Sequence, residues 1–274
     1  MVIICEVNDM NYSNKFFDIG QIINLENRIP VGIIVTFKPE ALFKVGVLKS
    51  FLEIIAEKGF PLLYLTLATP KVSEPILCFL VIDATDRTDA VMSLVSKLKN
   101  HQDVQNVEIL KPLFDGYLVN TIFDFLTIAD ERSVIFRRTI YEAFLKTVRE
   151  FFGTGGGALL YHIGSVIGRK AFENHIKITG GEFKKLLTVS EALFKASGFG
   201  EAKIIEVDIK SKQGKVKIKN NFECELFKNA NEPSSHFVRG LWAGWFEKLF
   251  GKEVKAIETK CIAKGDKYCE FEIR

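Results

Sequence analysis

Two cysteines near the end of the chain, Cys261 and Cys269, flank Lys264-Gly265-Asp266 within IETKCIAKGDKYCEFEIR (257–274). Apolar and polar residues alternate on both sides, which predicts two strands, and Gly265 with Asp266 supplies the turn residues of a hairpin. The thiols are equidistant from Gly265, so an odd-numbered loop with Gly in the left-handed region sets them opposite one another. Two facing thiolates, a carboxylate such as Glu258 and an imidazole from elsewhere make the tetrahedral donor set that zinc takes. Half-buried strand cysteines or a disulfide fit the same spacing, because C-x7-C is less specific than paired C-x2-C knuckles. Period-two alternation also puts Glu258 and Cys261 on opposite faces, so a shared site requires a bulge or a twisted strand end between them.

The elements ahead of the hairpin must supply the rest. HFVRGLWAGWFEKLF (236–250) predicts a helix with His236 at its start, both tryptophans, Trp242 and Trp245, and a close-packing face at Gly240 and Gly244. The tryptophans can wall an apolar pocket, close a dimer interface or pack in a core. ALLYHIGSVIGRKAFENH (158–175) predicts another helix, with Gly164 and Gly168 four apart on one face. That pair lets a second backbone come close or leaves room for a ligand. Tyr161 and His162, one turn earlier, are candidates for bonding a polar ligand group or for ordinary core and surface positions.

From about residue 120 the chain resembles the vinyl-4-reductase domain family, through GGGALLYHIGSVIGRKAF (155–172), PSSHFVRGLWAGWFEKLFGKEV (233–254) and ETKCIAKGDKYCEFEI (258–273). The resemblance implies a small α/β domain that binds small, mostly apolar or aromatic molecules, often as a homodimer, with zinc beside the pocket. It implies Glu258, Cys261 and Cys269 as zinc ligands. The family commonly has Cys-His before the last helix, whereas this chain has Ser235-His236. Serine is a poor zinc ligand and neutral imidazole a good one, so His236 is the expected fourth donor, with a plain helix N-terminal residue as the alternative. A closed site of four protein ligands is structural, which points to a binding or sensing module. A vinyl-reductase-type enzyme acting on a tetrapyrrole-like substrate and an assembly protein of the same fold type are the alternatives. An enzyme needs a hydride source, and GTGGGALL (153–160), although it contains G-x-G-x-x-A, follows the helix pattern EAFLKTVREFF and not a strand.

The first half has a different pattern. VGIIVTF, ALFKVGVLKSFLEIIAEKG, PLLYLTLAT, ILCFLVID, TDAVMSLVSKLKNH and NVEIL run β-α-β-β-α-β, which predicts a ferredoxin-like antiparallel sheet covered by helices on one face. Through FKPEALFKVGVLKSFLEIIAEKGF (37–60) it resembles ACT regulatory domains, which usually place a glycine after the proline; Glu40 stands there and argues for packing or dimerisation over amino-acid binding. The expected fold class is α+β in two domains, residues 1–115 ACT-like with an added N-terminal hairpin or arm, and 116–274 of the vinyl-4-reductase type, with Lys111-Pro112 and Asp115-Gly116 at the boundary.

At 274 residues, 47% hydrophobic and 26% charged, the chain is long enough for two buried cores. A formal charge of +3 gives no reason to expect nucleic acid, and the lysines at 210, 212, 215, 217 and 219 fit the solvent face of a hairpin. No stretch approaches the roughly 18 apolar residues of a membrane span. MVIICEVNDMN does not resemble a signal peptide, and five scattered cysteines at 5, 78, 224, 261 and 269 make no disulfide framework, so a reduced cytoplasmic protein is expected.

Overall fold

The computed structural model describes residues 18–274 and, before them, the backbone of one strand, β1 (Val2–Ile4). Cys5 and most of the expected N-terminal hairpin lie outside the described residues. β2 (Ile22–Asn24) is described, and its partner is a later strand. Next come β3 (Pro30–Phe37), α1 (Val47–Glu57), β4 (Leu62–Leu67), β5 (Ile76–Asp83), α2 (Val91–Lys99) and β6 (Val104–Leu110). β7 (Tyr117–Val119) pairs with β2, and β8 (Leu126–Ile128) with β9 (Glu131–Ser133) forms the hairpin expected before the long helix.

The strands order β4-β5-β3-β6, all antiparallel, which is the ferredoxin-like arrangement. β3 and β5 are central and buried on both faces, so they are continuous apolar runs. Ile33, Val35 and Phe37 face Phe51 and Ile55 of α1 and Leu94 and Leu98 of α2, while Ile34 packs on the other side with Phe79 and Leu118. Each fully buried side chain of this kind contributes about 1.5–3 kcal/mol. The helix expected directly after Pro39 begins later: Pro39–Phe43 forms a 3-10 turn, and α1 starts at Val47 after Gly46 at φ +88°. A left-handed residue cannot continue a right-handed helix, so the chain re-enters one turn on.

Chain compactness divides the molecule into a unit that runs to Val134 and a second one, Ile135–Arg274, which β1 joins. The second unit holds α3 (Arg138–Thr179), α4 (Phe183–Ala196), β10 (Glu201–Asp208), β11 (Gln213–Lys219), α5 (His236–Phe250), β12 (Ala256–Lys260) and β13 (Cys269–Ile273). Its sheet order is β1-β10-β11-β13-β12. α3 is interrupted at Gly153, whose φ of +52° and ψ of −127° lie outside the helical region, so GTGGGALL breaks the helix as expected and a second segment follows at once. The lysines of β11 face glutamates across the sheet, Lys215 opposite Glu272 and Lys217 opposite Glu270, which accounts for the basic hairpin as a solvent face. Trp242, Trp245, Phe246 and Phe271 are fully buried in the core between α4, α5 and the sheet.

The glycines of α3 and α5 interlock. A Cβ on Gly164 would collide with the carbonyl oxygen of Phe237, and one on Gly168 with that of Leu241; Cβ atoms on Gly240 and Gly244 would collide with the carbonyls of Tyr161 and Ser165. Both helices are therefore in backbone contact along this seam. Among the described residues, no helix is long and apolar enough to cross a membrane.

Candidate functional site

Four buried side chains of the C-terminal unit converge. One donor atom from each of Cys224, Glu258, Cys261 and Cys269 lies within 4.8 Å of the other three. Cys224 Sγ is 3.4 Å from Cys261 Sγ, 3.5 Å from Cys269 Sγ and 3.7 Å from Glu258 Oε1. These separations are too long for a disulfide, and all three thiols are free. They approach the edge of about 3.8 Å that a tetrahedron with bonds near 2.3 Å would have.

Local structure explains how sequence neighbours meet there. The register of β12 against β13 shifts between Glu258 and Lys260, so a bulge restores Glu258 and Cys261 to the same side. Beyond Lys260 the chain makes a 3-10 turn, Ile262–Lys264, closed by Gly265 at φ +99°. Cys261 N–H donates to Asp266 Oδ2 at 2.8 Å, which fixes the turn. Cys269 opens β13 opposite Ile218 of β11. Cys224 comes from a short 3-10 turn that follows β11.

Outer hydrogen bonds orient the donors. Ser235 N–H donates to Glu258 Oε2 at 3.0 Å and its hydroxyl to Oε1 at 2.9 Å. The backbone N–H groups of Ser234 and Ile262 donate to Cys261 Sγ and Cys269 Sγ, each at 3.4 Å. Asn221 Nδ2 donates to Ser235 Oγ at 2.8 Å and to Cys269 Sγ at 3.4 Å. Such bonds hold metal ligands in place.

The electrostatics of the cluster are those of a cation site. Burial, then the neighbouring Cys261, pushes the Glu258 carboxyl up to about 8. Hydrogen bonds from Cys224 and Cys269 hold Cys261 far below the ordinary thiol value, whereas the bonds to Cys261 and Cys269 push Cys224 up. For Cys269 the bond from Cys224 acts downward, but Cys261 and burial outweigh it and the thiol rises to about 12. One thiolate thus shares the protons of its neighbours, and among the described residues Glu258 forms no ion pair. Thiolates and a carboxylate crowded in a buried site are stabilised by a divalent cation, so the donor set can hold a metal.

Three of the four expected metal ligands, Glu258, Cys261 and Cys269, are brought together. His236 is not in the group; it opens α5 with its ring against Gly157 and its Nδ1 3.4 Å from Arg239 Nη2. Burial first, then Arg149 and Arg239, lowers its pKa to about 4. Cys224, which sequence reasoning did not single out, holds the fourth position. Its only signal was a cysteine in the polar stretch NNFEC, without any spacing relation to the other two.

The expected ligand contacts fare differently. The faces of Gly164 and Gly168 are filled by α5, the first of the two roles their spacing allowed. Trp242 and Trp245 are core residues, and Trp245 Nε1 donates to His175 Nδ1 at 3.2 Å. His162 is exposed, and Tyr161 is half-buried with its hydroxyl 3.5 Å from Ala256 N. The open cleft of this unit lies elsewhere, about 830 Å³ beside the break at Gly153, where Gly157, Phe227 and His236 meet.

A split sheet, a glycine-seamed helix pair and a buried Cys3Glu cluster define this unit as a small α/β module built around a potential metal centre. The chain belongs to the vinyl-4-reductase domain family, whose model matches residues 215–274, and all four donors lie inside that match. Among curated proteins it is similar to two uncharacterized proteins of Methanocaldococcus jannaschii, one 32% identical over 123 residues and one 30% identical over 120. Each match takes 44% of this chain, and the chain spans 66% and 67% of their respective lengths. Among solved structures it is similar to the phenol-responsive sensory domain of the transcription activator PoxR, at 18% identity and a TM-score of 0.49 over 54% of this chain and 78% of that one. It is also similar to a vinyl-4-reductase family protein from Methanocaldococcus jannaschii, at 20% identity and a TM-score of 0.32 over 52% of this chain and 98% of that one.

Proposed function

We propose that the C-terminal unit is a small-molecule binding or sensing module stabilised by one structural zinc ion on Cys224, Glu258, Cys261 and Cys269. The observation that carries this is the mutual approach of four buried donors within 4.8 Å, three of them thiols. Four protein ligands leave no open position for a reacting water, so zinc would act as a cross-link that contributes folding energy. It would tie the terminal hairpin and the segment after β11 to the start of α5. Three free thiols suit the reduced compartment expected for the protein.

The ligand site of this reading is the cleft beside Gly153, because His236 and Arg239 line it and both stand on the first turn of α5, next to Ser235. Clamping that turn fixes the cleft wall. The module would work as a homodimer: Ile140, Phe144 and Phe151 share one face of α3 and are 46%, 55% and 80% exposed, and a second copy would cover them. The ferredoxin-like unit would add packing or dimer contacts.

The test is metal analysis of protein purified without a histidine tag, beside Cys261→Ser/Cys269→Ser. One zinc per chain in the parent and none in the variant is expected. A folded parent with no metal and three titratable buried thiols would overturn the zinc assignment.

A further inference from the structure

The cleft beside Gly153 has a charge pattern that core packing does not require. Lys146, Arg149, Lys228 and Arg239 line it against two carboxylates, Glu150 and Glu232. Lys146 is engaged by Glu142 at 2.6 Å. Among the described residues, Arg149, Lys228 and Arg239 form no ion pair. Arg149 Nη1 and Arg239 Nε are buried and have no hydrogen-bond partner.

Both guanidiniums are nonetheless held in place. The carbon centre of Arg149 lies 3.9 Å from the Phe227 ring centroid, and that of Arg239 lies 5.2 Å from the Tyr161 centroid while its Nη2 meets His236. Ring stacking fixes the plane of a guanidinium and leaves its edge free to donate. A buried donor without an acceptor is disfavoured, and two on one cleft wall leave a gap that an acceptor group fills. Gly157 contributes too, since a Cβ there would sit 3.0 Å from His236 Cε1 and press the imidazole toward the cleft.

We propose that this cleft binds a small organic molecule through an oxyanion head, carboxylate or phosphate, gripped by Arg149 and Arg239. Planar donor forks match both head groups, and Lys228 adds a point charge. The rest of the ligand would lie along Phe227, Leu226 and Ala158, the apolar part of the lining. The inference rests on the small-molecule reading above and narrows it to anionic ligands.

Calorimetric titration of the full chain with benzoate, phenyl phosphate, inorganic phosphate and neutral phenol tests it. Benzoate or phenyl phosphate should bind at least tenfold more tightly than phenol, and the stronger of the two names the head group. Inorganic phosphate binding alone would assign the site to free phosphate and overturn the organic ligand. Arg149→Gln and Arg239→Gln should each weaken the anion at least tenfold, with Arg149→Lys between, because charge persists and the fork is lost. Unchanged metal content and circular dichroism show that the variants fold. Phenol binding as tightly as benzoate, unaffected by Arg149→Gln, would overturn the anion grip and leave the small-molecule reading standing. Binding of none of the four probes would sink both.

Discussion

Cys224 Sγ lies 2.8 Å from Ser235 Oγ, and the same hydroxyl donates to Glu258 Oε1 at 2.9 Å. The fourth thiol has therefore moved from the start of α5 to the turn after β11, and serine at the old place now orients the carboxylate. Cys224→Ser should lower zinc affinity at least tenfold, measured by competition with a chromogenic chelator. In Cys224→Ser/Ser235→Cys the thiol returns to position 235, whose Oγ already lies 3.8 Å from Cys269 Sγ, and affinity should recover. A double variant no better than the single one would show that position 235 cannot reach the metal.

That exchange also marks how far the sequence carries. The terminal motif gave Glu258, Cys261, Cys269 and the need for a bulge, because all three sit on one local hairpin whose period-two geometry is readable. Cys224 is 37 residues before Cys261 and reaches it only through the pairing of β11 with β13, a tertiary fact. His236 was chosen for its chemistry, but its direction is set by helix phase: as the first residue of α5 it points to Gly157 and the cleft. The βαββαβ order was legible in the apolar patterning. The late start of α1 was not, since it hangs on Gly46 adopting φ +88°. Gly164 and Gly168 were legible as a close-packing face, and only the structure shows that α5 fills it.

Zinc uptake should be steeply pH-dependent. Without metal, Glu258 at about 8, Cys269 at about 12 and Cys224, also raised, carry protons at neutral pH, while the depressed Cys261 does not. Binding must displace those protons, so affinity falls as pH drops below about 8 and rises above it. Calorimetry at pH 7 in buffers of different ionisation enthalpy should report release of roughly three protons per zinc. Release near zero would mean that the cluster is already ionised.

The helix seam should tolerate almost nothing. Gly164→Val would drive a side chain into the Phe237 carbonyl and part α3 from α5, with a loss of about 3 kcal/mol or more in urea unfolding. Gly155 is the contrast: it lies within α3, has open space where a Cβ would stand and needs no positive φ. Gly155→Ala should stabilise by about 0.5–1 kcal/mol, the helix-propensity difference. Equal effects at the two positions would contradict the interlocked seam.

Glu223 should give stability an opposite pH slope from that of an ordinary paired carboxylate. It is fully buried and accepts from the backbone N–H groups of Phe237 and Val238 at 3.0 and 2.9 Å, capping α5 from outside the helix. Burial raises its pKa to about 7, against the opposing pull of those N–H groups and of Arg149. Between the ordinary value of 4.5 and about 7 the folded state holds the proton more often than the unfolded chain does. Its contribution is therefore complete below pH 4.5 and is lost as pH rises through about 7. His236, depressed to about 4, acts the other way, with stability lost as pH falls below its ordinary 6.5. Subtracting Glu223→Gln from the parent at each pH cancels the histidine, because it is common to both proteins. At saturating zinc, so that Glu258 stays ionised, the advantage of the parent should shrink by about 1 kcal/mol or more between pH 5 and 7.5. A difference that stays flat, or grows with pH, would show Glu223 ionised throughout and held by its helix cap.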